Sequence, residues 1–243
     1  MKKIYVVGMG PGNEEGMTLQ AKAAMDVSDV IIGYTVYIDL IRDMYAGKEL
    51  LTTGMRKETD RCSLCLDKAR EGKTVSLICS GDAGVYGMAS LMLEMAGDAS
   101  DVEVEIVPGV TAALSGGALL GAPLGHDFCV ISLSDLLTPM ELIEMRLRYA
   151  AMGDFVIVIY NPSSKNRPDH LKKACDILEE LTGPERPCGL VKNIGREGES
   201  ASVCTLSGLK EMETDMFTTV FIGNSQSCII NGKLVTPRGC KNV

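Results

Sequence analysis

Short apolar runs rich in β-branched residues alternate along this chain with segments whose apolar positions recur at helical spacing. In the first half, residues 4–7, 30–32, 75–79 and 102–107 are strand candidates, the first three as near-continuous apolar runs of the kind that fills a buried strand. Residues 18–27 and 58–70 instead have the period of helices. Strand and helix in alternation predict βαβ units and a largely parallel sheet, and five strand candidates in this half, these four among them, fit one open sheet. A small-residue helix is expected over 111–120, followed by the turn Gly121-Ala122-Pro123-Leu124-Gly125. Beyond it, 128–132, 155–160, 189–191, 202–206 and 219–222 read as strands, the last two as an antiparallel pair because little sequence separates them. The expected fold class is therefore α/β, with an N-terminal α/β domain over 1–121 and a C-terminal α/β domain over 122–243. No long linker or internal repeat is visible, so the two domains are expected to share an interface and a cleft.

Composition narrows the function. A chain of 243 residues with 46% hydrophobic content can bury one large core or two compact ones. Its formal charge of −8 argues against a nucleic-acid partner, which needs a surplus of Lys and Arg on one face, although a local basic pocket remains compatible. The absence of Trp and the scarcity of Phe speak against stacking on single strands. No stretch has the length and apolarity to span a bilayer and no opening segment reads as a secretory leader, so no membrane partner and a cytoplasmic location are expected. Nine scattered cysteines suit a reducing compartment better than a disulfide framework. Cys62 and Cys65 form a CxxC, but at helical spacing and without a second pair, so packing is preferred to metal or redox chemistry and no metal is expected.

Three small-residue loops follow three of the strands. The first, Gly8-Met9-Gly10-Pro11-Gly12, offers glycines where a ligand could approach the backbone closely. A dinucleotide site is disfavoured there, because Pro11 lacks an amide and the second strand ends in Gly33-Tyr34 without a ribose-binding acid. The second is Ser80-Gly81-Asp82-Ala83-Gly84-Val85-Tyr86-Gly87, in which Asp82 either binds a ligand hydroxyl or amine or merely caps the following helix. The third is Pro108-Gly109-Val110-Thr111-Ala112, ahead of a helix whose free amides could meet a ligand carboxylate. In open α/β sheets, ligands bind at the carboxyl ends of strands, where all three loops lie.

In order and spacing these loops resemble those of the tetrapyrrole (corrin/porphyrin) methylases. Within that family, the stretch from Leu120 through His126 to Pro139 looks like the carbon-17 methyltransferases of the corrin pathway, as do Tyr160-Asn161-Pro162-Ser163-Ser164, Gly223-Asn224-Ser225 and Thr236-Pro237-Arg238-Gly239. Two departures occur: Asn13-Glu14 stands where Asp-Pro is usual, and Ala83 stands where Pro is usual. The resemblance implies S-adenosylmethionine as cofactor, contacted by Gly10, Pro11, Gly12, Ser80, Gly81, Asp82, Val85, Tyr86, Thr111, Ala112, Tyr160 and Asn161, with Ile194 and Gly195 closing over the adenine. It also implies a small-molecule tetrapyrrole substrate and a homodimer.

Methyl transfer from a sulfonium to an electron-rich carbon needs alignment more than a strong base. The subfamily resemblance adds ring contraction, which calls for an acid or base near the macrocycle. His126 is the candidate because its ordinary pKa lets it act either way; the competing reading is a histidine satisfied within a turn. Ser132, Ser134 and Asp135 are candidate substrate contacts, or caps of a helix beginning near Pro139. Arg56, Lys57 and Arg61 either meet substrate carboxylates or form a solvated helix face. Nine Cys and fourteen Met tilt the reading toward the oxygen-independent branch and a cobalt-bearing substrate. A sibling methylase acting on another ring carbon and a non-catalytic tetrapyrrole carrier are the alternatives.

Overall fold

The computed structural model describes residues 2–97 and 101–239. The chain divides into two compact units, Met1–Ala112 and Ala113–Val243.

In the first unit, β1 (Lys3–Gly8), β2 (Val30–Tyr34), β3 (Glu49–Thr53), β4 (Thr74–Cys79) and β5 (Glu103–Val107) form one sheet in the order β3-β2-β4-β1-β5. Every neighbouring pair is parallel. Crossovers are made by α1 (Leu19–Val27), α2 (Thr35–Ile41), α3 (Glu58–Arg70) and α4 (Ala89–Ala96). Successive side chains on a strand point to opposite faces, and both faces here are covered. Ile4 and Val6 pack with Cys62, Cys65, Leu66 and Met92 on one face, whereas Val7 joins Ala21, Met25, Ile38 and Ile41 on the other. That two-sided burial is why the strands read as unbroken apolar runs. The Thr18 hydroxyl starts α1 by accepting the Ala21 amide at 3.0 Å.

The second unit contains α5 (Ala112–Leu120), β6 (Gly121–Ala122), β7 (Phe128–Ser132), α6 (Met140–Met152), β8 (Val156–Tyr160), α7 (His170–Thr182), β9 (Pro187–Lys192), β10 (Ser200–Thr205), α8 (Leu206–Leu209), β11 (Thr218–Ile222), β12 (Cys228–Ile230) and β13 (Lys233–Val235). Its main sheet runs β10-β9-β11-β8-β7. Only β7 and β8 are parallel; β11 is antiparallel to both β8 and β9, and β10 to β9. Leu147, Leu171, Leu178 and Leu206 fill its core beside Ile159 and Val220. Each such fully buried side chain contributes about 2 kcal/mol.

Two expectations are corrected. β10 and β11 do not pair with one another: β9 lies between them, antiparallel to each, so they run in the same direction. Their closeness in sequence reflects a crossing of β9 through α8, not a hairpin. The division between units also precedes the turn at 121–125, because α5 belongs to the second core. A side chain at Gly116 would stand 3.1 Å from Ile194 and 3.2 Å from Phe221.

The turn itself is tied down by a small sheet that the patterning did not reveal, β12-β13-β6. Thr236 Oγ1 donates to the Pro123 carbonyl at 2.6 Å and lies 2.7 Å from Ser227 Oγ, which accepts the Asn224 amide at 2.9 Å. The Gly223-Asn224-Ser225 and Thr236-Pro237 motifs therefore hold the turn that carries His126.

Candidate active site

At the carboxyl edge of the first sheet, the loops after β1, β4 and β5 are built against one another. Gly10 and Gly81 exchange backbone hydrogen bonds of 3.0 and 2.7 Å. A Cβ at Gly109 would lie 2.1 Å from the Gly81 carbonyl oxygen and 2.4 Å from that of Gly8. One at Gly8 would lie 2.7 Å from the Gly109 amide nitrogen. Gly8 and Gly109 thus serve the approach of loop to loop. Gly81 differs. Its φ is +69°, and a Cβ there would rest in ordinary contact with Thr111 Cα at 3.5 Å and the Ala112 amide nitrogen at 3.8 Å, so this glycine answers to backbone conformation rather than to a close approach.

Asp82 is the clasp of this assembly. Its Oδ1 accepts the Gly84 and Val85 amides at 2.8 and 3.1 Å, and its Oδ2 accepts the Gly109 amide at 2.9 Å. One carboxylate thereby orders its own turn and staples the second loop to the third. Tyr86 follows with φ +53°, a left-handed conformation uncommon for a bulky residue, and its ring is exposed. Pro11 and Ser80 line the same loops. The departures from the family pattern have local roles: Asn13 accepts the Gly16 amide at 3.1 Å, Glu14 pairs with Lys22 at 3.1 Å, and Ala83 is fully buried. Beneath the edge, burial pushes the Cys79 thiol up to about 12, so it is a neutral packing group. Cys62 and Cys65 face the same core from α3.

In the second unit the parallel pair β7/β8 places Ser132 opposite Tyr160. The Tyr160 hydroxyl accepts the Ala113 amide at 2.7 Å and so caps the start of α5. Asn161, left-handed at φ +51°, donates from Nδ2 to Ser132 Oγ at 2.9 Å, and Ser132 Oγ also accepts the Ser134 amide at 3.2 Å. Ser132, Ser134 and Asn161 therefore form one cluster at two adjacent strand ends. Ile194 is buried, and the Gly195 amide donates to Glu199 Oε2 at 2.7 Å. His126 is exposed in the turn after β6.

Three residues outside the sequence candidates, or misjudged among them, change the picture. His170, the first residue of α7, puts Nε2 3.2 Å from Asp135 Oδ2, although without hydrogen-bond alignment. Arg167 stands 3.9 Å from the other Asp135 oxygen and donates to Ser164 Oγ at 3.2 Å. The His170 imidazole, opposed by partial burial and assisted by Arg167, holds the Asp135 carboxyl below the usual carboxylate range. The signal for both was their place in the loop that the Asn161-Pro162 motif opens. Arg61, read together with Arg56 and Lys57, is not on a solvated face: it is 4% exposed, while Arg56 and Lys57 lie in solvent. Among the described residues no set of His, Cys, Asp or Glu is grouped to hold a metal ion, and no helix is long and apolar enough to cross a membrane.

The family model described as Tetrapyrrole (Corrin/Porphyrin) Methylases matches residues 3–210. A probable cobalt-factor III C(17)-methyltransferase from Salmonella typhimurium is 43% identical, over 97% of this chain and 98% of its own length. A similarly named protein from Methanocaldococcus jannaschii is 45% identical, over 97% of each. The cobalamin biosynthesis protein CbiHC of Archaeoglobus fulgidus is 46% identical over 99% of this chain, which spans only 53% of that longer protein. Among solved structures, that of the methyltransferase CobJ superposes with a TM-score of 0.89 at 38% identity, covering 96% of this chain and 99% of the other. With the loops, the strand order and these matches in agreement, the chain belongs to the tetrapyrrole (corrin/porphyrin) methylases.

Proposed function

We propose that this chain transfers a methyl group from S-adenosylmethionine to carbon 17 of a corrin-pathway tetrapyrrole, with contraction of the macrocycle, and that cobalt-factor III is its substrate. The observation that carries this reading is the match, over nearly the full length of both chains, to a probable cobalt-factor III C(17)-methyltransferase. A Sinorhizobium precorrin-3B C(17)-methyltransferase is matched at a lower 38%, which favours the cobalt-bearing compound over the metal-free one.

The glycine loops that end β1, β4 and β5 bring backbone together at one sheet edge, and a related uroporphyrin-III C-methyltransferase structure from Thermus thermophilus, 25% identical, holds S-adenosyl homocysteine. In this reading the residues that contact the cofactor are Gly10, Pro11, Gly12, Ser80, Gly81, Asp82, Val85, Tyr86, Thr111, Ala112, Tyr160, Asn161, Ile194 and Gly195. When bound, it supplies an electrophilic methyl group on a sulfonium. The loops supply rigid placement, because a displacement in line needs fixed geometry and the Asp82 clasp removes loop freedom in advance. Ser132, Ser134 and Asp135 contact the macrocycle. Proton movement during contraction falls to Asp135, backed by His170, or to the solvent-facing His126. The protein works in the cytoplasm as a homodimer.

The test is an anaerobic assay with S-adenosylmethionine, offering cobalt-factor III and precorrin-3B in parallel and reading product mass. One added methyl on the cobalt compound is expected. Turnover of precorrin-3B alone moves the enzyme to the aerobic route, and no methylation of either overturns the carbon-17 reading.

A further inference from the structure

We propose that Arg61 forms a carboxylate-binding site at the carboxyl edge of the first sheet. The residue is 4% exposed, yet among the described residues no carboxylate lies within ion-pair distance of its guanidinium. Nε donates to Thr53 Oγ1 at 2.7 Å and Nη2 to the Gly54 carbonyl at 3.0 Å, while Nη1 reaches only the Met88 sulfur at 3.7 Å. A guanidinium has five N–H donors, so the protein leaves part of this fork without an oxygen acceptor. A thioether is a weak acceptor and does nothing to offset the charge.

Burying a cation without a counter-ion is costly, and the position on α3 adds to that cost. Arg61 lies one turn into a helix that begins at Glu58, where the helix dipole is positive and repels a cation. Glu58 and Asp60 in the same turn are exposed, and Asp60 pairs instead with Lys57 at 3.0 Å. An arrangement of this kind is completed by an anion, and the planar fork suits a carboxylate that binds through both oxygens. The acceptors already bound locate the site. Thr53 and Gly54 end β3, and Met88 closes the loop after β4, so the guanidinium sits at the edge that carries the cofactor loops.

Two ligands could bring a carboxylate there, the acidic side chains of a tetrapyrrole or the amino-acid end of S-adenosylmethionine. Choosing the tetrapyrrole rests on the function proposed above, whereas the carboxylate site itself does not. The experiment measures binding, not turnover. Affinities of the full chain for uroporphyrin, a tetrapyrrole octacarboxylate, for its octamethyl ester and for S-adenosylhomocysteine are compared in the native protein, Arg61→Lys and Arg61→Met. A charge-assisted hydrogen bond lost from a carboxylate weakens binding by about tenfold or more.

We expect that loss for uroporphyrin in Arg61→Met, a smaller loss in Arg61→Lys, and unchanged affinity for S-adenosylhomocysteine. The reverse pattern assigns the site to the carboxylate of the cofactor. If neither affinity moves, or if uroporphyrin does not bind and S-adenosylhomocysteine binding is unchanged, the proposal is overturned. Should Arg61→Met fail to fold, the native protein and Arg61→Lys still decide it. Thermal stabilisation by the acid but not by its ester, reduced in the lysine variant, supports the site, and equal effects of acid and ester refute it. A chain that binds the acid through Arg61 yet does not methylate carbon 17 keeps this inference and loses only the functional one.

Discussion

Asp82 and Asp135 are both carboxylates at the carboxyl ends of strands, and their surroundings could hardly differ more. Asp82 is bonded to three backbone amides and ties two loops together. Asp135 has 36% of its side chain exposed and faces a histidine and an arginine. The acid inside the glycine motif is thus a structural clasp, and the acid outside it is placed among groups that can exchange protons or hold an anion. In the first unit the motif acid orders backbone, whereas in the second unit Asp135 faces side chains.

The strongest way to break this contrast is to separate the loops that Asp82 joins. Gly109→Ala would place a methyl 2.1 Å from the Gly81 carbonyl oxygen, with backbone on every side. Overpacking against atoms that cannot rotate away costs about 3 kcal/mol or more. We expect a large fall in the denaturant midpoint together with loss of cofactor binding. A variant that folds and binds normally would show that the loops are not mutually braced.

Asp82→Asn is milder, because the shape remains while one oxygen becomes an NH2 group that cannot accept an amide. Losing charge-assisted bonds and confronting a donor with a donor should cost about 2–3 kcal/mol. Affinity for S-adenosylhomocysteine should fall in step with stability, as a clasp requires. A fall in affinity well beyond the loss of stability would show direct contact with the cofactor in addition to the clasp.

Much of this contrast could be read from residue patterns, and the exceptions have physical causes. Apolar runs located β1, β2 and β4, the three central strands of the first sheet, because a parallel sheet covered on both faces needs them, whereas the outer strand β3, ELLTT, carries too few apolar residues to stand out. Pairing order in the second sheet was not legible. An apolar strand of a mixed sheet carries the same pattern whichever neighbour it adopts, so nothing in 200–205 or 218–222 announces that 187–192 lies between them. Arg61 was misread as part of a charge run although its spacing held the answer. Residues 61, 62, 65, 66 and 69 share one face of α3, and all are buried. His170 and Asp135 are far apart in sequence and meet only through the fold.

The smallest effect tests the other side of the contrast. Asp135 is exposed enough that Asp135→Asn should change stability at neutral pH by less than about 1 kcal/mol. The pH dependence of that change carries the information. Because the fold lowers the carboxyl pKa, the unfolded chain binds more protons as pH falls toward the ordinary value of 3.8, and stability drops. The contribution of Asp135 is therefore complete above that ordinary value and disappears as pH falls through the lowered one. Denaturant midpoints of native protein and Asp135→Asn should accordingly differ at pH 6 and draw together as pH falls below 3.8. Turnover of the variant should fall well beyond its small loss of stability if Asp135 faces substrate. Equal midpoint differences at pH 6 and below 3.8 would mean that the pair with His170 is not linked to protons.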